Sequence, residues 1–140
     1  DREFFQIHFD SMVQYYRSLV AREEARLAHS NFGQFAGAGS ELCEYCNQLA
    51  WLLSNCEANS EEALYLSRRS LEYAPDQPAY LDTLARCYFA AGQLEEAVKF
   101  QRMACSNSPH DRLMKAQLLQ FEAALSKVRS VPATADEDGN

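Results

Sequence analysis

The residues best suited to chemistry are two cysteines, Cys43 and Cys46, which form a C-x-x-C pair. A zinc site built on such a pair needs a second pair or histidines at ligand spacing, and a redox-active pair is expected in a β-α-β unit. Haem attachment needs a histidine directly after the second cysteine, where Asn47 stands. The histidines of the chain are widely scattered: His8, His29 and His110. We therefore expect buried helical thiols, no metal and no cofactor, with an enzyme or metal protein built on this pair as an alternative.

Adjacent carboxylates occur at 23–24, 61–62 and 95–96 and raise the question of acid–base catalysis. Neighbouring residues of a helix point about 100° apart, so the two carboxylates of a pair do not face one substrate. The last two pairs fall where helices are expected to begin, and the helix dipole favours acidic side chains there. The glycine-rich stretch GQFAGAG matches no phosphate-binding pattern, and no nucleophile elbow occurs. The sequence thus predicts a protein that is not an enzyme.

Composition narrows the classes of partner. The 140 residues include 13 basic and 20 acidic side chains, which give a net charge of −7. Phosphate binding depends on clustered lysine and arginine, so we expect neither nucleic acid nor a membrane surface as partner. No apolar run approaches the ~20 residues of a spanning helix. Five cysteines at irregular spacing suit a reducing compartment better than a disulfide framework, which favours a cytoplasmic location.

The elements that would position these residues are helices. An apolar stripe at spacings of three and four predicts a first helix over 2–29, through Phe5, Phe9, Met12, Tyr16 and Leu19. The glycine-rich segment 30–39 predicts a loop. Caps and chain breakers then predict five more helices: from Ser40 to Asn55, from Asn59 or Ser60 to Ala74, from Pro78 to Gly92, from Leu94 to Ser106 and from Asp111 to Val128. We expect no sheet, a single helical domain over 1–131, and a disordered tail over 132–140.

The chain repeats itself. The segment 61–75 aligns with 95–109 at an offset of 34 residues, matching Ala63 with Ala97 and closing each copy with a proline. Upstream, Leu49 and Ala50 align with Leu84 and Ala85 at an offset of 35. Small residues at matching places let paired helices approach closely, and a hairpin of this kind buries its apolar face only against neighbours.

This pattern resembles the tetratricopeptide repeat family, a helix–turn–helix unit of about 34 residues. Over 43–109 the family pattern is matched by Leu81, Leu84, Ala85, Tyr88, Ala97 and Pro109. The aromatic of the second helix is missing in both copies, with Gln101 and Ser67 in its place. The resemblance implies an all-α superhelix of antiparallel helix hairpins, with repeats over 40–75 and 78–109. The helix 2–29 and a capping helix over 111–129 would close its two ends.

In the family, one stripe on the first helix of each repeat faces the concave side of the stack and usually contacts protein or peptide ligands. In this chain the resemblance places that stripe, and so the partner-binding site, at Asn47, Trp51, Asp82, Arg86 and Phe89. Asn47 and Arg86 suit a backbone amide or a carboxylate, while Trp51 or Phe89 suits an apolar anchor. The alternative for Trp51 is packing against one of the terminal helices.

The expected function is a non-enzymatic protein–protein interaction module or scaffold, which holds a peptide or protein segment in a concave helical groove. The alternative is self-association as a homodimer through the apolar first helix, within a larger multidomain protein. That interface would use aromatic residues of the helix: Phe4, Phe5, Phe9, Tyr15 and Tyr16. The chain begins with Asp1, so we expect a piece of a longer protein.

Overall fold

The computed structural model describes residues 2–29, 38–56 and 59–131, and in these ranges the protein is all-α, with six helices and no strands. The helices are α1 (Arg2–His29), α2 (Ala38–Asn55), α3 (Ser60–Ser70), α4 (Pro78–Ala90), α5 (Leu94–Asn107) and α6 (Arg112–Arg129). Most of the expected loop, residues 30–37, and the expected tail, residues 132–140, lie outside the described residues. No helix in the described part is both long and apolar enough to cross a membrane.

Local sequence signals account for the starts of three helices. Asn59 caps α3, because its side chain accepts a hydrogen bond from the backbone N–H of Glu62 at 3.2 Å. Asp111 caps α6 in the same way, accepting from the N–H groups of Leu113 and Met114. Pro78 occupies the first turn of α4, where its missing N–H costs nothing.

Two predicted helix ends were wrong. The helix α2 begins at Ala38, two residues before the predicted cap Ser40, and it therefore includes Gly39. A Cβ on Gly39 would lie 2.9 Å from ring atoms of Tyr73, so a glycine permits this close approach. The helix α3 ends at Ser70 rather than at Ala74. Pro75 disfavours helical conformation at Ala74, and the backbone leaves the α-helix earlier, at Leu71, whose N–H bonds the carbonyl of Arg68 at 3.1 Å.

Consecutive helices form two hairpins, α2–α3 and α4–α5, each joined by a short connection and packed together. The helix α4 also packs against both α2 and α3, so the second hairpin stacks on the first. At the ends, α1 packs on α2 and α6 packs on α5. The matched alanines of the repeat are fully buried in this core: Ala50, Ala63, Ala85 and Ala97.

The buried face of α1 differs from the predicted stripe. Phe9, Val13, Leu19 and Val20 are buried, and Tyr16 packs against the core, whereas Phe5 and Met12 are exposed. The face turned toward α2 thus runs through Phe9, Val13 and Val20, to one side of the predicted line. Ion pairs also bind α1 to α3: Arg17 bonds Glu62 at 2.7 Å, and Glu24 pairs with Arg69.

Gln101 takes the place of the missing aromatic and connects three helices. Its side chain is fully buried on α5. The amide nitrogen donates to Asp82 Oδ1 on α4 at 2.7 Å and to the backbone carbonyl of Met114 on α6 at 3.1 Å. A hydrogen-bonding side chain therefore joins these helices at the position where the tetratricopeptide pattern has an aromatic residue.

The turn between α4 and α5 depends on the backbone conformation of Gly92. Its φ is +75°, and no atom lies within 4 Å of the position where a Cβ would stand. We expect Gly92→Ala to lower the free energy of unfolding by about 1 kcal/mol, through backbone strain alone, and Gly92→Asn to lower it by less. Urea denaturation of the three proteins measures this. An alanine variant as stable as the wild type would contradict the assignment.

Candidate partner-binding groove

Three helices, α2, α4 and α6, line a continuous surface groove. Two neighbouring pockets lie along it, and each is lined by residues of all three helices. The second pocket is lined by residues further along each helix than the first. A further cavity of about 430 Å³ continues the groove and shares Ser54, Asn55 and Phe89 with the second pocket. We call this surface the α2–α4–α6 groove.

The first pocket has a volume of about 300 Å³ and contains three of the predicted partner-binding residues. Asn47 and Trp51 come from α2, Asp82 comes from α4, and Met114 of α6 closes the far side. Trp51 is 43% exposed, so much of its ring faces solvent. An apolar ring beside polar groups is the arrangement that anchors partner side chains at interfaces.

The second pocket lies one turn further along the same helices and contains the other two predicted residues, Arg86 and Phe89. Its volume is about 180 Å³, and α6 contributes Gln117 and Gln120. Phe89 is half-buried because its ring stacks on the fully buried Phe121, with ring centroids 4.4 Å apart. This stacking is a side-chain contact between α4 and α6, while the packing of α6 on α5 positions the helix.

Asn47 is the most buried of the five predicted residues. Only 6% of its surface is exposed, although it lines the first pocket. Its side-chain oxygen has no hydrogen-bond partner among the described residues. A buried acceptor without a partner costs about 1–3 kcal/mol, so this oxygen lowers the stability of the fold, and only the accessible part of the Asn47 side chain lines the pocket.

The charges of the groove neutralise each other. Asp82 Oδ2 accepts from Nε of Arg86 at 3.1 Å, while Asp82 Oδ1 accepts from Gln101. Both Asp82 and Arg86 are largely shielded from solvent, with side-chain exposures of 15% and 29%. The groove thus offers one ion pair, amide side chains and aromatic surface, with no excess charge at this point.

Sequence reasoning missed the part of the site that α6 supplies. Met114, Gln117 and Gln120 were assigned only to a capping helix, yet all three line the pockets. Extending the offset of 34 residues beyond the second repeat would have found one of them, because it maps Arg86 of the predicted stripe onto Gln120.

The C-x-x-C pair lies within α2 and away from the groove. Cys43 and Cys46 are both buried, and burial raises the pKa of the Cys46 thiol to about 11. Burial likewise raises the pKa of Cys87 to about 11. The five cysteines are free thiols. In the described ranges, no group of three or more His, Cys, Asp and Glu side chains is arranged to hold a metal ion.

Comparison with known proteins adds no relative. No protein-family model matches the chain, and a search of curated proteins found no match. The resemblance to tetratricopeptide repeats therefore rests on the internal repeat of the sequence alone.

Thiol reactivity tests the burial of the cysteines. At about pH 8, a raised pKa leaves little of the reactive thiolate, and a shift of two units lowers that fraction about 100-fold. We expect DTNB to modify the half-buried Cys56 and Cys105 first, and the buried Cys43, Cys46 and Cys87 only after unfolding. Mass spectrometry of quenched samples identifies the sites. Rapid modification of Cys46 in the folded protein would show that the pair is a reactive centre after all.

Replacing Asn47 separates a ligand-binding role from a structural one. We expect Asn47→Leu to raise the free energy of unfolding by about 1 kcal/mol, because it removes a buried acceptor without a partner. Asn55→Leu is the matched control, since Asn55 is exposed on the same helix and bonds only the carbonyl of Trp51. Thermal and urea unfolding provide the measurement. A loss of stability at Asn47 would mean that its amide supports the fold.

Proposed function

We propose that this protein is a non-enzymatic interaction module of the tetratricopeptide type, which binds a peptide or protein segment along the α2–α4–α6 groove. The observation that carries the proposal is the location of the five predicted residues. Asn47, Trp51 and Asp82 line one pocket, and Arg86 and Phe89 line the next pocket along the same helices. Residues far apart in the sequence thus face one elongated surface.

The repeat assignment is supported by matching positions in the two hairpins. Ala50 and Ala85 occupy the same place in the first helix of each hairpin, and both are fully buried. Ser67 and Gln101 occupy the same place in the second helix, and both are also fully buried. In this proposal α1 and α6 are end pieces of a superhelix, and α6 extends the concave side by one helix.

The chemistry of the groove suits an extended backbone. A peptide in extended form presents alternating N–H and C=O groups, and carboxamide side chains can serve both because they donate and accept. Such side chains recur along the groove: Asn47, Gln48, Asn55, Gln117 and Gln120. Trp51 supplies an apolar contact for one ligand side chain, as hot-spot tryptophans do at other interfaces.

The groove favours a ligand of low net charge at its centre. The carboxylate of Asp82 already accepts from Arg86 and from Gln101. A strongly acidic segment would have to compete with Asp82 for Arg86, and a strongly basic one would have to draw Asp82 away from its partners. We therefore expect a segment with an apolar side chain beside Trp51 and an uncharged or weakly polar stretch next to it.

Selection from a random peptide display library tests the proposal. Peptides enriched on the wild-type protein should bind the Trp51→Ala, Arg86→Glu double variant at least tenfold more weakly, because it lacks the apolar anchor and reverses a groove charge. Trp51→Ala alone removes a half-exposed ring, so it should keep the fold and give part of the loss. Fluorescence anisotropy with one labelled peptide measures both.

The matched control places equivalent changes outside the groove. The variant Tyr65→Ala, Lys99→Glu also removes an exposed aromatic and reverses a charge, on α3 and α5. It should bind the enriched peptides as the wild type does. If the wild type enriches no peptide, or if the peptides bind the groove variant unchanged, the proposed function is wrong.

A further inference from the structure

The helix α1 is longer than the helix on which it packs. Its 28 residues span about 42 Å, whereas the 18 residues of α2 span about 27 Å. The first buried residue of α1 is Phe9, and every described residue before it is exposed. The first two turns of α1 therefore lack a buried contact with the rest of the described chain, although they contain Phe4, Phe5 and Ile7.

Further exposed apolar side chains lie along α1, on a face distinct from the one that packs on α2. Phe4 is 64% exposed, Phe5 62%, Met12 47% and Tyr15 59%. From Phe5 through His8, Met12 and Tyr15, the steps alternate between three and four residues, and the next step reaches Leu19. That alternation is the heptad spacing of a helix that packs against another helix. We call this surface, defined by Phe4, Phe5, His8, Met12 and Tyr15, the uncharged face of α1.

Polar groups on and beside the uncharged face bond within α1. Ser11 donates to the carbonyl of Ile7 at 2.8 Å, and Ser18 donates to the carbonyl of Tyr15 at 2.6 Å. The Nδ1 atom of His8 lies 2.9 Å from the carbonyl of Phe4. Covering this face would therefore leave few polar groups without a partner, which is the usual cost of burying a helix surface.

Charge distribution points to the occupant of this face. Between Phe4 and Leu19 the charged residues are Asp10 and Arg17, and helical geometry places both on the opposite side of α1. Arg17 is in addition bound to Glu62. The whole chain carries a net charge of −7, so two copies repel each other over most of their surface. At the uncharged face, a second copy would meet no charge that repels it.

We propose that the uncharged face of α1 binds the same face of a second copy, as an antiparallel helix pair around a two-fold axis near Met12. The orientation follows from Arg22, which continues the heptad spacing beyond Leu19 and is exposed. In a parallel pair, Arg22 of one copy would face Arg22 of the other in the seam. In an antiparallel pair centred near Met12, each Arg22 lies beyond the apolar contact, opposite Arg2 and Glu3 at the start of the other helix, rather than opposite a second Arg22 in the seam.

The uncharged face is small for a stable interface. An aromatic side chain has about 150–250 Å² to bury, and roughly half of that is exposed at each large residue of the face. One copy would then bury about 500 Å², below the roughly 800 Å² per partner of a standard interface. A reversible dimer with a Kd of about 10–100 µM is expected. The groove-lining residues identified above are on α2, α4 and α6, so a dimer would carry two open grooves.

Sedimentation equilibrium from about 5 to 500 µM tests the proposal, because this range brackets the expected Kd. The mass should rise from 15.9 kDa toward twice that value. The Phe5→Glu, Met12→Glu variant should stay monomeric throughout and should unfold as the wild type does, since both side chains are exposed. Gln14→Glu, Ala21→Glu adds the same charge on another side of α1 and should dimerise. Added salt should not weaken the dimer, because it screens the repulsion between copies.

A second measurement keeps the test valid if the charged variant folds poorly. Two cysteines placed near the two-fold axis come within disulfide distance, so Met12→Cys should give a covalent dimer on mild oxidation, while Gln14→Cys should not. A wild type that stays monomeric up to the highest concentration would overturn the proposal. A dimer that persists in the Phe5→Glu, Met12→Glu variant, or that dissociates as salt is added, would also overturn it.

Discussion

The close approach of paired helices is the constraint on which the rest of this structure depends. Ala50 and Ala63 in the first hairpin, and Ala85 and Ala97 in the second, are fully buried where the helices meet. A larger side chain at any of these places would hold the backbones apart, and overpacking of this kind costs about 1–3 kcal/mol. Because the two helices of each hairpin lie close together, large residues such as Leu49 can fill the space between one hairpin and the next. The stack, and the groove on its side, follow from this spacing.

The groove is joined to the stack through Asp82. This carboxylate accepts from the buried Gln101 and from Arg86, so one residue takes part both in helix packing and in the wall of a pocket. Gln101 also bonds the carbonyl of Met114, and Phe89 stacks on Phe121. The third helix of the groove is thus held by a polar contact and by an aromatic contact. A surface held in this way changes little on binding, which lowers the entropic cost of association.

The sequence was informative wherever a local rule decides the outcome. The six helices, the caps Asn59 and Asp111 and the turn at Gly92 follow from residues close to one another in the chain. Local rules misplaced the start of α2 and the end of α3, and the other errors concern contacts between distant residues. Helical spacing alone cannot tell which of two apolar faces of α1 meets α2, and nothing near Asn47 in sequence indicates that its amide is buried. The repeat offset places Gln120 of α6 in register with Arg86, but the contributions of Met114 and Gln117 depend on how that helix packs.

The proposed function depends on the α2–α4–α6 groove being the binding surface of this protein. Nuclear magnetic resonance of ¹⁵N-labelled protein, titrated with a peptide selected from a random library, tests it most directly. We expect the largest shifts, including that of the indole N–H of Trp51, to fall on residues lining the two pockets. Shifts confined to α1, or to the sides of α3 and α5 away from the groove, would contradict it.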